Sequence, residues 1–324
     1  MTSIRIGIDG GGTHSTAVAA WPDGRIAAVA EGGGLNFHND GVETVRSRLY
    51  DMISRLQAAS GGAPVHSVCV GFSALDGPAD EQTVSAFASD ELPPDRLDFQ
   101  SDAYIALMGL TQGEPGVIAI CGTGSMLLMA DENDRQIVSG GWGYLLNDAG
   151  SGYTLAREAL LAVIDQIDGV GPETPLTTDM LQHFGLPHPR ALIDTVYAPD
   201  FTPDKQASFA RYVLQRAAEG EPVALGILSR NMKRLALLTA RLMDKSASVR
   251  LVGLYGGIFG HSETARTLYA GYLFGEYPDA RVVSPEYPPE LGAIIQLMKK
   301  SGCLNADTLN TLKKTYEEIR HEHD

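Results

Sequence analysis

The sequence predicts an α/β fold of two related lobes, on three observations. A glycine-rich strand-turn occurs twice, as Arg5-Ile-Gly-Ile-Asp9-Gly-Gly-Gly-Thr13 and as Val117-Ile-Ala-Ile-Cys121-Gly-Thr-Gly-Ser125. Around each, the same order of strand, small-residue turn, strand, hairpin and strand is written, as in an internally duplicated chain. A βαβ-like unit then closes the second copy. Glycine lets backbone N–H groups approach an anion with no side chain in the way. Two such turns from two lobes could grip one polyphosphate from both sides, which points to a nucleotide-using enzyme with its site in a cleft.

The elements follow in order. Ile4, Ile6 and Ile8 alternate as a strand does, and Thr16 to Trp21 reads as a second strand. Pro22-Asp23-Gly24 makes a hairpin turn from which Arg25 to Glu31 returns. Asp40-Gly41 opens a helix in which Val42, Val45, Leu49, Met52 and Leu56 recur at spacings of 3, 4, 3 and 4, one buried face. Val65 to Phe72 is a Val-rich strand, Glu81 to Glu91 a helix, Leu97 to Gln100 a short strand and Ala103 to Leu110 a helix. The turn residues of Thr111-Gln-Gly-Glu-Pro-Gly116 place a boundary there, with residues 1–113 as the N-terminal lobe.

The pattern restarts in a C-terminal lobe, residues 114–300. Val117 to Ile120, Met126 to Ala130 and Gln136 to Ser139 are its first strands, with a hairpin at Asp131 to Arg135. After Gly152 the chain turns helical, as an insertion: Thr154 to Asp165 is one helix, and Leu228, Met232, Leu235, Leu238 and Leu242 mark another. Gly169 to Pro175 and Tyr197 to Pro203 read as loops. Val249 to Tyr255, a helix from about Ser262 and the strand Arg281 to Ser284 form the last βαβ-like unit. Ile294 to Lys300 and Asp307 to Ile319 are helical. Residues 301–324 form a C-terminal helix that can pack back on the N-terminal lobe, and His321 to Asp324 are expected to fray.

Composition narrows the function. The chain has 324 residues, 44% of them hydrophobic and only 20% charged, which suits roughly two ordinary globular domains. Forty acidic against 25 basic residues give a net charge of −15, a surface that repels nucleic acid and anionic membrane. ATP remains admissible, because Mg²⁺ and backbone N–H groups supply positive field. Cys69, Cys121 and Cys303 are odd in number and form no CxxC pair, which argues against a disulfide framework or a zinc site. Met1-Thr-Ser-Ile-Arg runs into a strand, and no run of about 18 apolar residues occurs, so a soluble cytoplasmic protein is expected.

Several residues invite chemistry, each beside a plainer reading. Asp9, at a strand end before Gly10-Gly11-Gly12-Thr13, could hold hydrated Mg²⁺, with Thr13 and the glycine N–H groups toward phosphate; it could equally be part of an Asp-Gly turn. Gly122-Thr123-Gly124-Ser125 carries the same ambiguity. Asp102 is either the N-cap of its helix or a general base for an attacking hydroxyl. Asn36 could bind a sugar hydroxyl or cap a turn. The glycines of Gly140-Gly141-Trp142-Gly143 and Asp148-Ala149-Gly150-Ser151-Gly152 suit a site wall built for close approach. Gly256-Gly257 ends a strand where α/β lobes admit ligands, or permits close helix packing. His14, His38, His183, His188 and His261 show no metal-ligand spacing and read as surface or core histidines.

Taken in order, Asp9-Gly-Gly-Gly-Thr13, Asn36, Ser101-Asp102-Ala103, Cys121-Gly-Thr-Gly-Ser125, Gly140-Gly-Trp-Gly143, Asp148-Ala-Gly-Ser-Gly-Tyr153 and Gly256-Gly257 resemble the BadF/BadG/BcrA/BcrD ATPase family. The likeness is greatest to the N-acetylglucosamine kinase branch of the sugar kinase/Hsp70/actin superfamily and runs from about residue 4 to 298. It implies two ribonuclease-H-like, actin-like ATPase lobes with ATP in the interlobe cleft and an amino sugar beside it. By position, Asp9 would serve Mg²⁺, and Gly11, Gly12, Thr13, Gly122, Thr123 and Gly124 the phosphates. Gly256 and Gly257 would lie by the adenosine. Asn36, Asp102, Trp142 and Asp148 would line the sugar pocket, with Asp102 the base acting on the 6-hydroxyl. A homodimer is also implied.

One departure bears on the sugar. The family usually reads Gly-Asp-Glu-Gly-Ser where this chain has Asn147-Asp148-Ala149-Gly150-Ser151, so Ala149 leaves more room and one negative charge fewer. Glucosamine, N-acetylglucosamine and N-acetylmuramic acid all stay open as acceptors. Two other classes compete with the kinase. An ATPase activator of a 2-hydroxyacyl-CoA dehydratase-type partner needs cysteine thiolates for a shared iron–sulfur cluster, whereas Cys121 lies in the phosphate turn and Cys69 in a core strand. A non-enzymatic sugar or nucleotide sensor would turn over no ATP with any sugar.

Overall fold

The computed structural model describes residues 3–321. The chain divides into two compact units, Met1–Pro115 with Pro285–Asp324, and Gly116–Ser284. Unit 1 is built on a mixed five-stranded sheet: β1 (Ile4–Gly10), β2 (His14–Ala20), β3 (Ile26–Gly33), β4 (Val65–Phe72) and β5 (Leu97–Ser101), in spatial order β3-β2-β1-β4-β5. The first three strands are antiparallel hairpins, and β4 and β5 add parallel to β1. Unit 2 repeats this with β6 (Gly116–Cys121), β7 (Ser125–Ala130), β8 (Gln136–Gly140), β9 (Leu251–Tyr255) and β10 (Arg281–Val283), ordered β10-β9-β6-β7-β8. The correspondence is strand for strand, so the duplication legible in the two glycine turns extends to the whole sheet.

In unit 1 both faces of β1 are covered, because strand side chains alternate across a sheet. Ile4, Ile6, Ile8, Ala17 and Ala19 face the helix Val42–Ala59 through Val45, Leu49, Met52 and Leu56. Val18, Ala20 and Ile26 meet the opposite layer, Leu291, Ile294, Met298, Leu312 and Tyr316. Those five belong to the helices Pro289–Lys300 and Ala306–His321. The sequence reading assigns residues up to 300 to the second lobe; the helix Pro289–Lys300 packs instead with unit 1. Its residues 290–298 are all buried, and the sheet of unit 1 is the apolar surface they fill. Residues 322–324, expected to fray, lie outside the described residues.

That packing is unusually close. A Cβ on Gly7 would come within 2.5 Å of the Glu290 carbonyl oxygen, so the helix Pro289–Lys300 rests on the backbone of β1 itself. A Cβ on Gly292 would lie 1.8 Å from the Ile105 carbonyl oxygen, in the helix Asp102–Thr111. A Cβ on Gly71 would meet the Ile105 side chain at 2.3 Å and the Asp102 Cα at 3.2 Å. Sheet and both helices are thus drawn together at three glycines.

Two further elements differ from expectation. The helix expected over Glu81 to Glu91 ends at Phe87, whose ring is fully buried in an aromatic cluster with Phe37, Phe72 and Phe99. The Ser89 N–H then donates to the Leu92 carbonyl oxygen at 3.0 Å, and Pro93 caps a short 3₁₀ turn. The Gly256-Gly257 pair opens an additional short helix, Gly257–His261, before Glu263–Glu276. Unit 2 carries its helices, chiefly Gly152–Ile167, Ala210–Ala218, Pro222–Met243 and Glu263–Glu276, around one apolar core. No described helix is long and apolar enough to cross a membrane.

The close approach at Gly292 predicts that Gly292→Ala destabilises by ~2 kcal/mol or more, since two backbones must separate. Gly271→Ala, on an exposed helical face with open space around it, should be neutral or stabilise by up to ~1 kcal/mol. Thermal unfolding of the two variants checks the contrast.

Candidate functional site

In unit 1, parallel strands deliver two of the expected acids to the same sheet edge. Asp9, near the end of β1, sits opposite Gly71 of β4, and Phe72 of β4 sits opposite Ser101 of β5. Asp102 follows immediately, beginning its helix. Carboxyl ends of parallel strands are where α/β sheets take ligands. The helix cap is Ser101, whose hydroxyl accepts from the Tyr104 N–H at 3.2 Å; the N-cap alternative for Asp102 is therefore filled by its neighbour. Asp102 is exposed, its carboxylate accepting the Ala103 N–H at 2.7 Å and its own backbone N–H, while the rest of the helix is buried. Partial desolvation raises its pKa above the usual carboxylate value against that backbone bond, and Asp76 adds a smaller push.

Asp9 is half-buried, and its pKa is pushed up to about 7 by burial, then by Glu290 and Asp102. Glu290 is the acid that the sequence reading misses. It stands in the first turn of the helix Pro289–Lys300, 4% exposed, accepting the Tyr316 hydroxyl. After Pro288-Pro289 it reads as an ordinary acidic helix start; only the tertiary contact of that helix with β1 brings it beside Asp9.

The turn after β1 is pinned from one side. Leu35 N–H bonds to the Gly11 oxygen at 2.9 Å, and a Cβ on Gly34 would lie 2.2 Å from the Gly12 oxygen. Gly12 itself would admit a Cβ with nothing within 4 Å, and its backbone is not left-handed. Folding gives no reason for glycine there. Gly12 and Thr13 are exposed. Asn36 uses its side-chain oxygen to cap the helix Phe37–Asp40, accepting from His38 and Asn39 at 3.1 and 3.2 Å. Its amide N–H groups stay available.

Unit 2 presents the second turn at the mouth of a cavity of about 1040 Å³, whose lining includes Gly122, Thr123, Asp204, Arg211, Gly257 and His261. Gly122, like Gly12, has empty space where a Cβ would be. The helix Gly152–Ile167 abuts the turn: Gly152 N–H bonds to the Gly122 oxygen at 2.7 Å and Tyr153 N–H to the Thr123 oxygen at 3.1 Å. The Thr123 hydroxyl donates to Asp204 at 2.8 Å. Gly256, at φ +95°, is structural, since a Cβ would strike the Cys121 oxygen at 2.4 Å; Gly257 is exposed in the cavity wall.

The remaining expected residues separate by burial. Trp142 is 69% exposed, on a segment where Gly140, Gly141 and Gly143 all take positive φ and Leu145 and Leu146 are exposed too. Asp148 is 5% exposed and lies behind Gly124, whose Cβ would be 3.1 Å from its Oδ2. It accepts the Gly143 and Ser125 N–H groups, yet burial raises its pKa, and Oδ1 has no partner. Ala149 is buried, its carbonyl accepting the Ser125 hydroxyl.

Among the described residues no three His, Cys, Asp or Glu side chains converge as a metal cage. The acids at Asp9 do fit Mg²⁺, which takes one or two carboxylates and keeps its waters, because burial and then the charges of Glu290 and Asp102 raise Asp9 and a cation would offset them.

Two mixed sheets of one order, each followed by a glycine turn after its first strand, define the actin-like ATPase and sugar-kinase class of α/β folds. The chain belongs to the BadF/BadG/BcrA/BcrD ATPase family, which matches residues 6–296. It is 29% identical to an N-acetyl-D-glucosamine kinase of Dictyostelium discoideum, over 90% of this chain and 97% of that protein. It is 30% identical to a glucosamine kinase of Vibrio cholerae, over 75% and 81%. The crystal structure of a putative N-acetylglucosamine kinase from Chromobacterium violaceum superposes with a TM-score of 0.67 at 26% identity, covering 92% of this chain and 99% of that one.

The raised Asp9 gives a signed pH prediction. Because its folded pKa lies above the unfolded value, the folded state holds more protons between about pH 4 and 7, and stability falls as pH rises through that window. In metal-free protein, Asp9→Asn should match the parent in unfolding midpoint near pH 4 and exceed it by a few °C at pH 8. Equal midpoints at pH 8 would contradict it.

Proposed function

We propose that the protein is an ATP-dependent amino-sugar kinase that phosphorylates the 6-hydroxyl of N-acetylglucosamine or a related amino sugar, glucosamine or N-acetylmuramic acid included. The observation that carries this is the pair Asp9 and Asp102 at the ends of β1 and β5, one crowded by acids and the other exposed. Kinases and glucosamine kinases among the relatives support the reaction class.

Phosphoryl transfer requires mainly positioning and neutralisation, because charge in its loose transition state lies on the phosphoryl oxygens. Asp102 accepts the proton of the sugar hydroxyl and orients its oxygen toward the γ-phosphate; a raised pKa makes it a stronger base than a solvated carboxylate. Asp9 is the residue that would hold Mg²⁺, with Glu290 fixing it electrostatically. Bound there, the ion would neutralise the phosphates. The N–H groups of Gly11, Gly12 and Gly124 and the Thr13 hydroxyl bind phosphate oxygens, while Gly122, whose N–H bonds to the Gly124 oxygen, and Thr123, whose hydroxyl bonds to Asp204, lie against the phosphates. Gly256 and Gly257 flank the adenosine. Asn36 donates its free amide to a sugar hydroxyl, Trp142 packs on the ring, and Asp148 receives a hydroxyl at its unpartnered Oδ1. Cys69 and Cys121 are fully buried, which disfavours the cluster-bearing activator.

Asp102→Asn should lower kcat with N-acetylglucosamine by ~10²–10⁴-fold while leaving ATP affinity within twofold or so. Unchanged turnover would remove Asp102 as the base. Gly122→Ala should unfold within about 1 °C of the parent, because nothing occupies the space, and raise the KM for ATP at least about tenfold. An unaltered KM would show that the turn does not approach phosphate.

A further inference from the structure

Gly122, Thr123 and Gly257, assigned above to the nucleotide, line the cavity of unit 2, and the inference that follows rests on that reading. Its lining contains two carboxylates, Asp204 and Glu263, and a single Lys or Arg, Arg211. Asp204 and Arg211 come from consecutive helices, Pro203–Ala207 and Ala210–Ala218, whose shared face lines the cavity. A ligand with several negative charges entering a protein of net charge −15 needs positive field where it binds.

Arg211 is held in place. Its Nη2 lies 3.2 Å from Nδ1 of His183 and 3.1 Å from the Tyr212 hydroxyl, and its guanidinium stacks over the Tyr212 ring at 4.8 Å. A guanidinium can only donate, so His183 Nδ1 must accept and its proton sits on Nε2. Nε2–H then donates to Ser208 Oγ at 2.9 Å, and the Ser208 hydroxyl donates to the Lys205 carbonyl oxygen at 2.6 Å. The rings of Phe184, Phe209 and Tyr212 surround the imidazole with centroids 4.6, 5.6 and 5.4 Å away. The network has one consistent direction of donation, and it requires a neutral His183. Ser208 and Arg211 both line the cavity; His183 does not. The Arg211 Nη1 and Nε groups have no protein partner among the described residues and remain for a ligand.

We propose that Arg211 is the cationic contact to the nucleotide phosphates in unit 2, and that neutral His183 is a positioning residue that holds its guanidinium toward the cavity. Burial, then Arg211, lowers the His183 pKa and keeps the ring neutral near pH 7. Asp200 and Lys205, which line a smaller cavity together with His183, pair with each other. Protonation below that pKa removes the acceptor at Nδ1 and sets two cations against each other.

The test is calorimetric binding of ADP, ATP and adenosine to the full chain, with Arg211→Ala, His183→Ala and His183→Gln. Arg211 is exposed, so its truncation leaves the fold intact. Arg211→Ala should weaken ADP and ATP by roughly 10- to 100-fold, as loss of charge-assisted bonds does, and leave adenosine unchanged. His183→Ala should weaken ADP by a smaller factor of the same pattern. His183→Gln keeps an acceptor toward Arg211 and a donor toward Ser208, and should restore binding while flattening its decline at acid pH relative to the parent. Parent protein that binds ADP while Arg211→Ala binds it equally well overturns the inference. Equal loss of adenosine and ADP in Arg211→Ala also overturns it, placing Arg211 at the base. Parent protein that binds no nucleotide overturns the assignment of the cavity itself.

Discussion

Three close contacts at glycine govern unit 1. Gly7, Gly71 and Gly292 let the helices Asp102–Thr111 and Pro289–Lys300 approach the sheet and each other to distances a side chain would forbid. The consequence is electrostatic: Asp9, Asp102 and Glu290 are brought near enough that burial and the other two acids push Asp9 up to about 7. Like charges held together raise the free energy of the folded chain. The fold tolerates them because its apolar layers on either face of β1 are extensive. Such an arrangement is what a cation and a proton transfer require at one sheet edge.

Unit 2 repeats the sheet and uses it differently. At its corresponding strand end stands Cys121, fully buried, in place of an acid. What it offers is backbone: a turn with empty space beside Gly122, in the lining of a cavity that Arg211 also lines. One sheet order thus occurs twice with different residues at the end of its first strand, an acid at Asp9 in unit 1 and a buried thiol at Cys121 in unit 2.

The strand-turn repeats, the helix Val42–Ala59 and the boundary near Thr111 to Gly116 were legible because period and turn chemistry are local. The positions of Asp9, Asp102 and the Gly122 turn at strand ends were legible for the same reason. The placement of Pro289–Lys300 was not, since an apolar helix fits either sheet by pattern, and with it went Glu290. Arg211 and His183 were also hidden: they are far apart in sequence, and a histidine without ligand spacing reads as surface or core. The burial of Asp148 behind Gly124 was not legible either, since a motif does not say how deep a side chain lies.

The central claim is transfer of the ATP γ-phosphoryl group to the 6-hydroxyl of an amino sugar. Its most direct measurement is ADP release with Mg²⁺ against glucosamine, N-acetylglucosamine, N-acetylmuramic acid, glucose and no sugar, with the product's phosphate located by phosphorus–carbon coupling in NMR. The account predicts release that depends on an amino sugar and a phosphate on C6. Equal ADP release with and without sugar, or phosphate on another carbon, would contradict it.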